Sequence, residues 1–133
     1  MARDNGLSPS LIAALVWRES SGNHRLVSAG SYYGLMQLTP REARRYGVGD
    51  KAVLKPRYNL EAGLSLLKDL LDENGNDEAL ALYAFNRGHA ASSPRKARKN
   101  PYVKRVMETK RWFDSCEEMH LVRDCLKLAL ADK

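Results

Sequence analysis

A chain of 133 residues, 44% hydrophobic with a mean hydropathy of −0.50, can bury one core and is too apolar to be disordered. No apolar run reaches membrane-spanning length, and the opening "MARDNGLSPS" has no hydrophobic signal core, so work outside a cytoplasm would need another route of delivery or excision from a longer chain. The net charge of +6 is concentrated: residues 87–111 hold nine basic residues against one acid, residues 1–86 balance, and residues 112–133 are slightly acidic. A stretch such as "RGHAASSPRKARKNPYVKR" suits nucleic acid, an anionic wall polymer or lipid headgroups, and equally a solvated surface.

Ser8-Pro9 reads as a helix cap followed by a first-turn proline, opening a helix that stops at Gly22-Asn23. "HRLVSAGSYYG" lacks helical period and reads as a loop or short hairpin. Thr39 and Glu42 form a capping box at the head of the short helix "PREARRYG". Asn59 is expected to start the next helix, whose stripe is Leu60, Leu64, Leu67, Leu70 and Leu71 and whose stop is Gly75. Asp77 can cap "DEALALYAFNRG", with Leu80, Tyr83 and Ala84 on one side. Residues 88–99 read as a basic loop, and Asn100-Pro101 begins a last helical region, one bent helix or two. The class is mainly α. Trp112 and Phe113 are expected in the core.

Cys116 and Cys125 would face opposite ways on one helix and are expected as free thiols; neither they nor His24, His89 and His120 have metal-ligand spacing. The sequence thus points to no metal and no cofactor.

One residue breaks the first helix's pattern. At about 100° per residue, Leu11, Ile12, Leu15 and Val16 fall on either side of Glu19 and place it near the centre of the apolar face. Burial disfavours the charged form of a carboxyl, and an acid still protonated near neutral pH is what general acid catalysis requires. The competing reading is a last-turn glutamate paired with Arg18 or Arg25. Downstream, small residues let a large ligand approach the backbone, and Gln37 and Asn86 can hydrogen-bond amides.

The segment "ALVWRESSGNHRLVSAGSYYGLMQLTPREAR" resembles the soluble lytic transglycosylase domain, a relative of goose-type lysozyme. The likeness continues through "NLEAGLSLL" and "ALYAFNRG", spans residues 8–90, and echoes weakly at "YVKRV", residues 102–106. Its elements are a Glu-Ser pair ending a helix, Gly-Leu-Met-Gln, Asn-Leu-x-x-Gly and Ala-Tyr-Asn-x-Gly. The resemblance implies a lysozyme-like helical fold with at most a short β-hairpin near residues 27–38. The expected organisation is one lysozyme-like catalytic domain over residues 1–133, with the resemblance covering about 8–106 and residues 107–133 read as a helical extension outside it.

The resemblance further implies a phage or bacterial enzyme that cleaves the β-1,4 bond between N-acetylmuramic acid and N-acetylglucosamine in peptidoglycan, closing a 1,6-anhydro ring. Glu19 would be general acid and then base, and Ser28 a hydrogen-bond partner of it. Gly34, Leu35, Met36, Gln37, Tyr33, Phe85, Asn86 and Tyr102 would bind substrate. One carboxylate can suffice because the substrate's own C6 hydroxyl replaces water; Asp50, Glu42 and Glu61 have surface or capping roles. Two departures stand out. Phe85 occupies the place of the family's tyrosine, for which Tyr32, Tyr33 or Tyr83 could substitute, and Arg98 occurs where an acid is usual.

The expected partners are glycan strands and, through residues 87–111, anionic wall polymers, with the protein a monomer, without nucleic acid, acting at the wall in periplasm or outside the cell. Alternatives are a goose-type muramidase that uses water, a weakly catalytic wall-binding module of a virion or secretion machine, and a basic DNA binder.

Overall fold

The computed structural model describes residues 6–88 and 93–118. Among the described residues, six helices and a small β-region follow in the order α1 Pro9–Ser20, β1 Val27–Ser28, β2 Tyr32–Tyr33, α2 Pro40–Arg45, α3 Pro56–Glu73, α4 Glu78–Arg87, α5 Pro94–Lys99 and α6 Pro101–Glu118. Among the described residues no helix is long and apolar enough to cross a membrane.

Local signals place most helix ends. Ser8 accepts from the Leu11 amide at the head of α1, and Ser21 ends the helix in the left-handed region at φ 55°. The Thr39–Glu42 capping box forms reciprocally. Asp77 caps α4 through the Leu80 amide, and Gly88 closes it at φ 79°. Asn100 Oδ1 accepts from the Val103 amide at the head of α6.

Two boundaries differ from the sequence expectation. Helix α3 starts at Pro56, not Asn59, and Lys55 caps it without a side-chain bond. Residues 94–99 are helix α5 rather than loop, capped by Ser93 on the Lys96 amide. The same Ser-Pro signal that opens α1 opens α5. It goes unread because only Ala97 of the six residues is buried, leaving no apolar period to see.

The core is built from Leu11 and Leu15 of α1, Met36 and Leu38, Leu67 of α3, Leu82 of α4, and Val103 and Val106 of α6. α1 packs along α6 and α3 along α4. The buried face of α4 is Ala79, Ala81, Leu82 and Ala84, so Leu80 and Tyr83 are half-buried flanks rather than its centre. Phe113 is buried as expected. Trp112 is 37% exposed and meets the Phe113 ring edge-on at 5.2 Å, so it lies at the core's margin.

Cys116 is disulfide-bonded, correcting the expectation of a free thiol. That expectation assumed one uninterrupted helix through both cysteines. On such a helix the two would stand about 13.5 Å apart along the axis, beyond the reach of a disulfide, which is why helix geometry alone pointed to free thiols. Cys125, His89 and His120 lie outside the described residues, as does most of the expected extension 107–133 beyond α6.

A buried polar side chain, Asn59, ties the β-region to α3. Val27 pairs with Tyr33 and Ser28 with Tyr32, and Tyr33 bridges on to Leu38. Asn59, fully buried in the first turn of α3, accepts from the Met36 amide at 2.8 Å. Its amide nitrogen donates to the Tyr33 and Val53 carbonyls, each at 2.8 Å. Two glycines make room. A Cβ on Gly34, whose φ is +78°, would stand 2.5 Å from Asn59 Nδ2, and one on Gly63 would stand 2.2 Å from Met36 Sδ.

Candidate active site

Glu19 sits in the last turn of α1, partly buried, and the hydroxyl of Tyr102 on α6 donates to its Oε1 at 2.5 Å. The ion pair that the sequence left open does not form. Arg18 donates through Nε to Thr109 Oγ1 at 3.0 Å, bracing α1 on α6 instead. Among the described residues no cation pairs with Glu19.

A cleft of about 400 Å³ opens at this carboxyl. Helix α1 contributes Glu19, and the β-region contributes Ser28, Tyr32 and Gln37. Thr39 and Glu42 come from the start of α2, and Phe85, Asn86, Arg87 and Gly88 from the end of α4. A larger groove of about 700 Å³ lies between the head of α4 and α6, where Asp77 pairs with Arg98 at 4.0 Å and Glu78 with Lys110, at the groove's edge, at 3.0 Å.

Burial is the main cause that raises the Glu19 carboxyl above its ordinary range. The Tyr102 hydrogen bond, which favours the carboxylate, works against that, and the negative charge of Glu42 adds to it. Burial, then the charge and hydrogen bond of Glu19, push the Tyr102 phenol upward, so it stays a neutral donor.

The residues singled out in the sequence divide into two groups. Glu19, Ser28, Gln37, Phe85 and Asn86 line the cleft, and Tyr102 reaches Glu19 directly. Gly34, Leu35, Met36 and Tyr33 do not line it. Gly34 and Met36 are buried in the Asn59 lock. Leu35 faces a separate apolar groove with Val16, Trp17 and Phe113, and the Tyr33 hydroxyl reaches the Gly30 carbonyl at 3.4 Å.

Ser28 donates to Gln37 Oε1 rather than to Glu19. Gln37, at φ 50°, spends its amide nitrogen on the Leu26 and Gly34 carbonyls at 3.1 and 2.9 Å. The pair therefore shapes the cleft wall. Of the phenols that could stand in for the one missing at Phe85, Tyr32 lines the cleft, whereas Tyr83 lies beneath the Arg87 guanidinium.

Thr39 and Arg87 are cleft residues that sequence reasoning passed over, and Glu42 is one that it weighed as a second carboxylate and set aside as a cap. Glu42 does cap: its Oε1 accepts from the Thr39 amide at 2.9 Å. Arg87 was legible only as the first charge of the basic stretch.

The Transglycosylase SLT domain model matches residues 1–107. The chain belongs to the SLT transglycosylase family. A transglycosylase of Enterobacteria phage PRD1 is 42% identical over 82 residues, covering 62% of this chain and 30% of that protein. Membrane-bound lytic murein transglycosylase C of Haemophilus ducreyi is 35% identical over 107 residues, covering 68% of this chain and 29% of that one. The chain thus spans less than a third of the length of these relatives. The X-ray structure of an inactive glutamate-to-glutamine mutant of the lytic transglycosylase Slt from Pseudomonas aeruginosa superposes with a TM-score of 0.58 at 21% identity. That match covers 96% of this chain and 22% of the other. The fold is the mainly helical, lysozyme-like one that the sequence resemblance implied.

Proposed function

We propose that this SLT domain is a peptidoglycan lytic transglycosylase with Glu19 as its acid and base. The observation that carries the reading is a carboxyl that lines a cleft of about 400 Å³, raised above its ordinary range by burial, unpaired by any described cation and oriented by Tyr102. Protonated Glu19 gives its proton to the glycosidic oxygen as the C1–O bond breaks. The resulting carboxylate takes the proton of the muramyl C6 hydroxyl, whose oxygen closes on C1. The nucleophile belongs to the substrate and needs no water, which gives it the advantage of proximity. Tyr102 is a positioning residue: a neutral phenol that fixes one oxygen of Glu19 and supports the carboxylate between the two proton transfers. The Ser28–Gln37 pair keeps the cleft wall in shape.

Glu42 supports a second reading, a muramidase. It places a second carboxylate in the same cleft, as hydrolysis through an activated water would use. The product decides. Mass spectrometry of digested glycan strands distinguishes anhydro ends, lighter by one water, from hydrolysed reducing ends. Anhydro ends are expected. Hydrolysed ends alone would replace the first reading with the second. Either chemistry places the working domain at the cell wall.

A further inference from the structure

Among the described residues, every charge on the cleft wall but one is negative or, for Glu19, becomes so during the reaction; the exception is Arg87. It is exposed and stands in the last turn of α4, where the helix dipole favours a cation. Its guanidinium lies over the Tyr83 ring, 5.6 Å from the centroid. That contact steadies the side chain and consumes none of its five N–H donors. No carboxylate among the described residues forms an ion pair with it. The cleft therefore offers a positioned guanidinium at α4 and two acidic groups contributed by α1 and α2.

A glycan of muramyl and glucosaminyl residues has a matching asymmetry. The scissile linkage is neutral. The muramyl lactyl group ends in a carboxylate, or continues into a peptide stem that carries carboxylates. A carboxylate drawn toward Glu42 would be repelled, whereas one drawn toward Arg87 would be held by a charge-assisted, two-point contact.

We propose that Arg87 is a substrate-binding residue that captures a carboxylate on the muramyl side of the strand and so orients the linkage over Glu19. This rests on the reading of the domain as a peptidoglycan-cleaving enzyme.

The test compares the purified wild-type chain with Arg87→Gln and Arg87→Lys on four substrates. These are stem-bearing strands, strands freed of stems so that the lactyl carboxylate is exposed, and each of the two with its carboxylates blocked as methylamides. The readout is kcat and KM for release of glycan fragments. The wild type is expected to prefer carboxylate-bearing over blocked strands. Arg87→Gln is expected to lose about tenfold of that preference, through KM, and Arg87→Lys to keep part of it. Preference confined to stem-bearing strands assigns the contact to the stem, and preference on stripped strands assigns it to the lactyl group. A preference unchanged in Arg87→Gln, or absent from the wild type while cleavage proceeds, overturns the proposal alone. No fragment release from any substrate overturns it together with the enzymatic reading.

Discussion

At Glu19 the opposing influences come from different elements. Burial at the end of α1 and the charge of Glu42 on α2 raise the carboxyl, and Tyr102 on α6 lowers it. Since the protonated form does the first chemical step, the alkaline limb of the pH–rate profile follows this group. Glu42→Gln, which can keep the capping bond, is expected to move that limb to lower pH. Tyr102→Phe is expected to move it to higher pH while lowering kcat. Limbs that shift in the same direction in both variants would remove Glu19 from the acid role. Glu19→Gln is expected to lower glycan cleavage by about 10²–10⁴-fold, measured by release of soluble fragments, with the fold intact.

The raised Glu19 also sets a sign for stability. Its folded state holds a proton that the unfolded chain gives up more readily, so this contribution is full below the ordinary carboxylate range and is lost as pH rises through the folded value. Thermal unfolding of wild type and Glu19→Gln at acidic and neutral pH should therefore show the variant gaining on the wild type as pH rises. A difference that does not depend on pH would mean that Glu19 titrates as it does in the unfolded chain.

The elements explain why two glycines and an asparagine recur in the motif segments. Gly63 lies inside α3, where alanine would ordinarily be the better helix former by about 0.5–1 kcal/mol. Here a Cβ would collide with Met36, so Gly63→Ala is expected to destabilise by about 1–3 kcal/mol, read from chemical denaturation. An increase in stability would mean that the Met36 side chain has room to move aside. Asn59→Ala leaves one amide and two carbonyls of the β-region without their partner and is expected to lower stability by about 3 kcal/mol. Both variants act on Ser28 and Gln37 through the backbone that carries them, so activity should fall with the folded fraction. The sequence showed these residues as one pattern of a sugar-cleaving family. That Met36, Gly34, Asn59 and Gly63 form a buried lock while Glu19, Gln37 and Asn86 reach the cleft could not be seen there, since both groups share the same motifs.

For the molecule as a whole, the +6 charge is carried outward. Arg95, Lys96, Arg98 and Lys99 of α5 are all exposed, as are Lys104, Arg105 and Arg111 of α6. Adsorption to purified walls should weaken as salt rises, because exposed charges are screened over about 10 Å at ~0.1 M ionic strength. Sedimentation with walls in a salt series checks this, and adsorption indifferent to salt would deny these charges a part in it.

The sequence by itself determined the helical class, most helix caps, the family pattern and the misfit of Glu19 in an apolar face. Each of these is written in residues a few positions apart, where capping geometry and helical period operate. Tertiary structure alone decided that Arg18 turns to Thr109 rather than Glu19, that Tyr102 approaches across 83 positions, and that Glu42 and Arg87 share the cleft. Those contacts join helices whose mutual placement is set by how the core packs, and no local spacing carries that information.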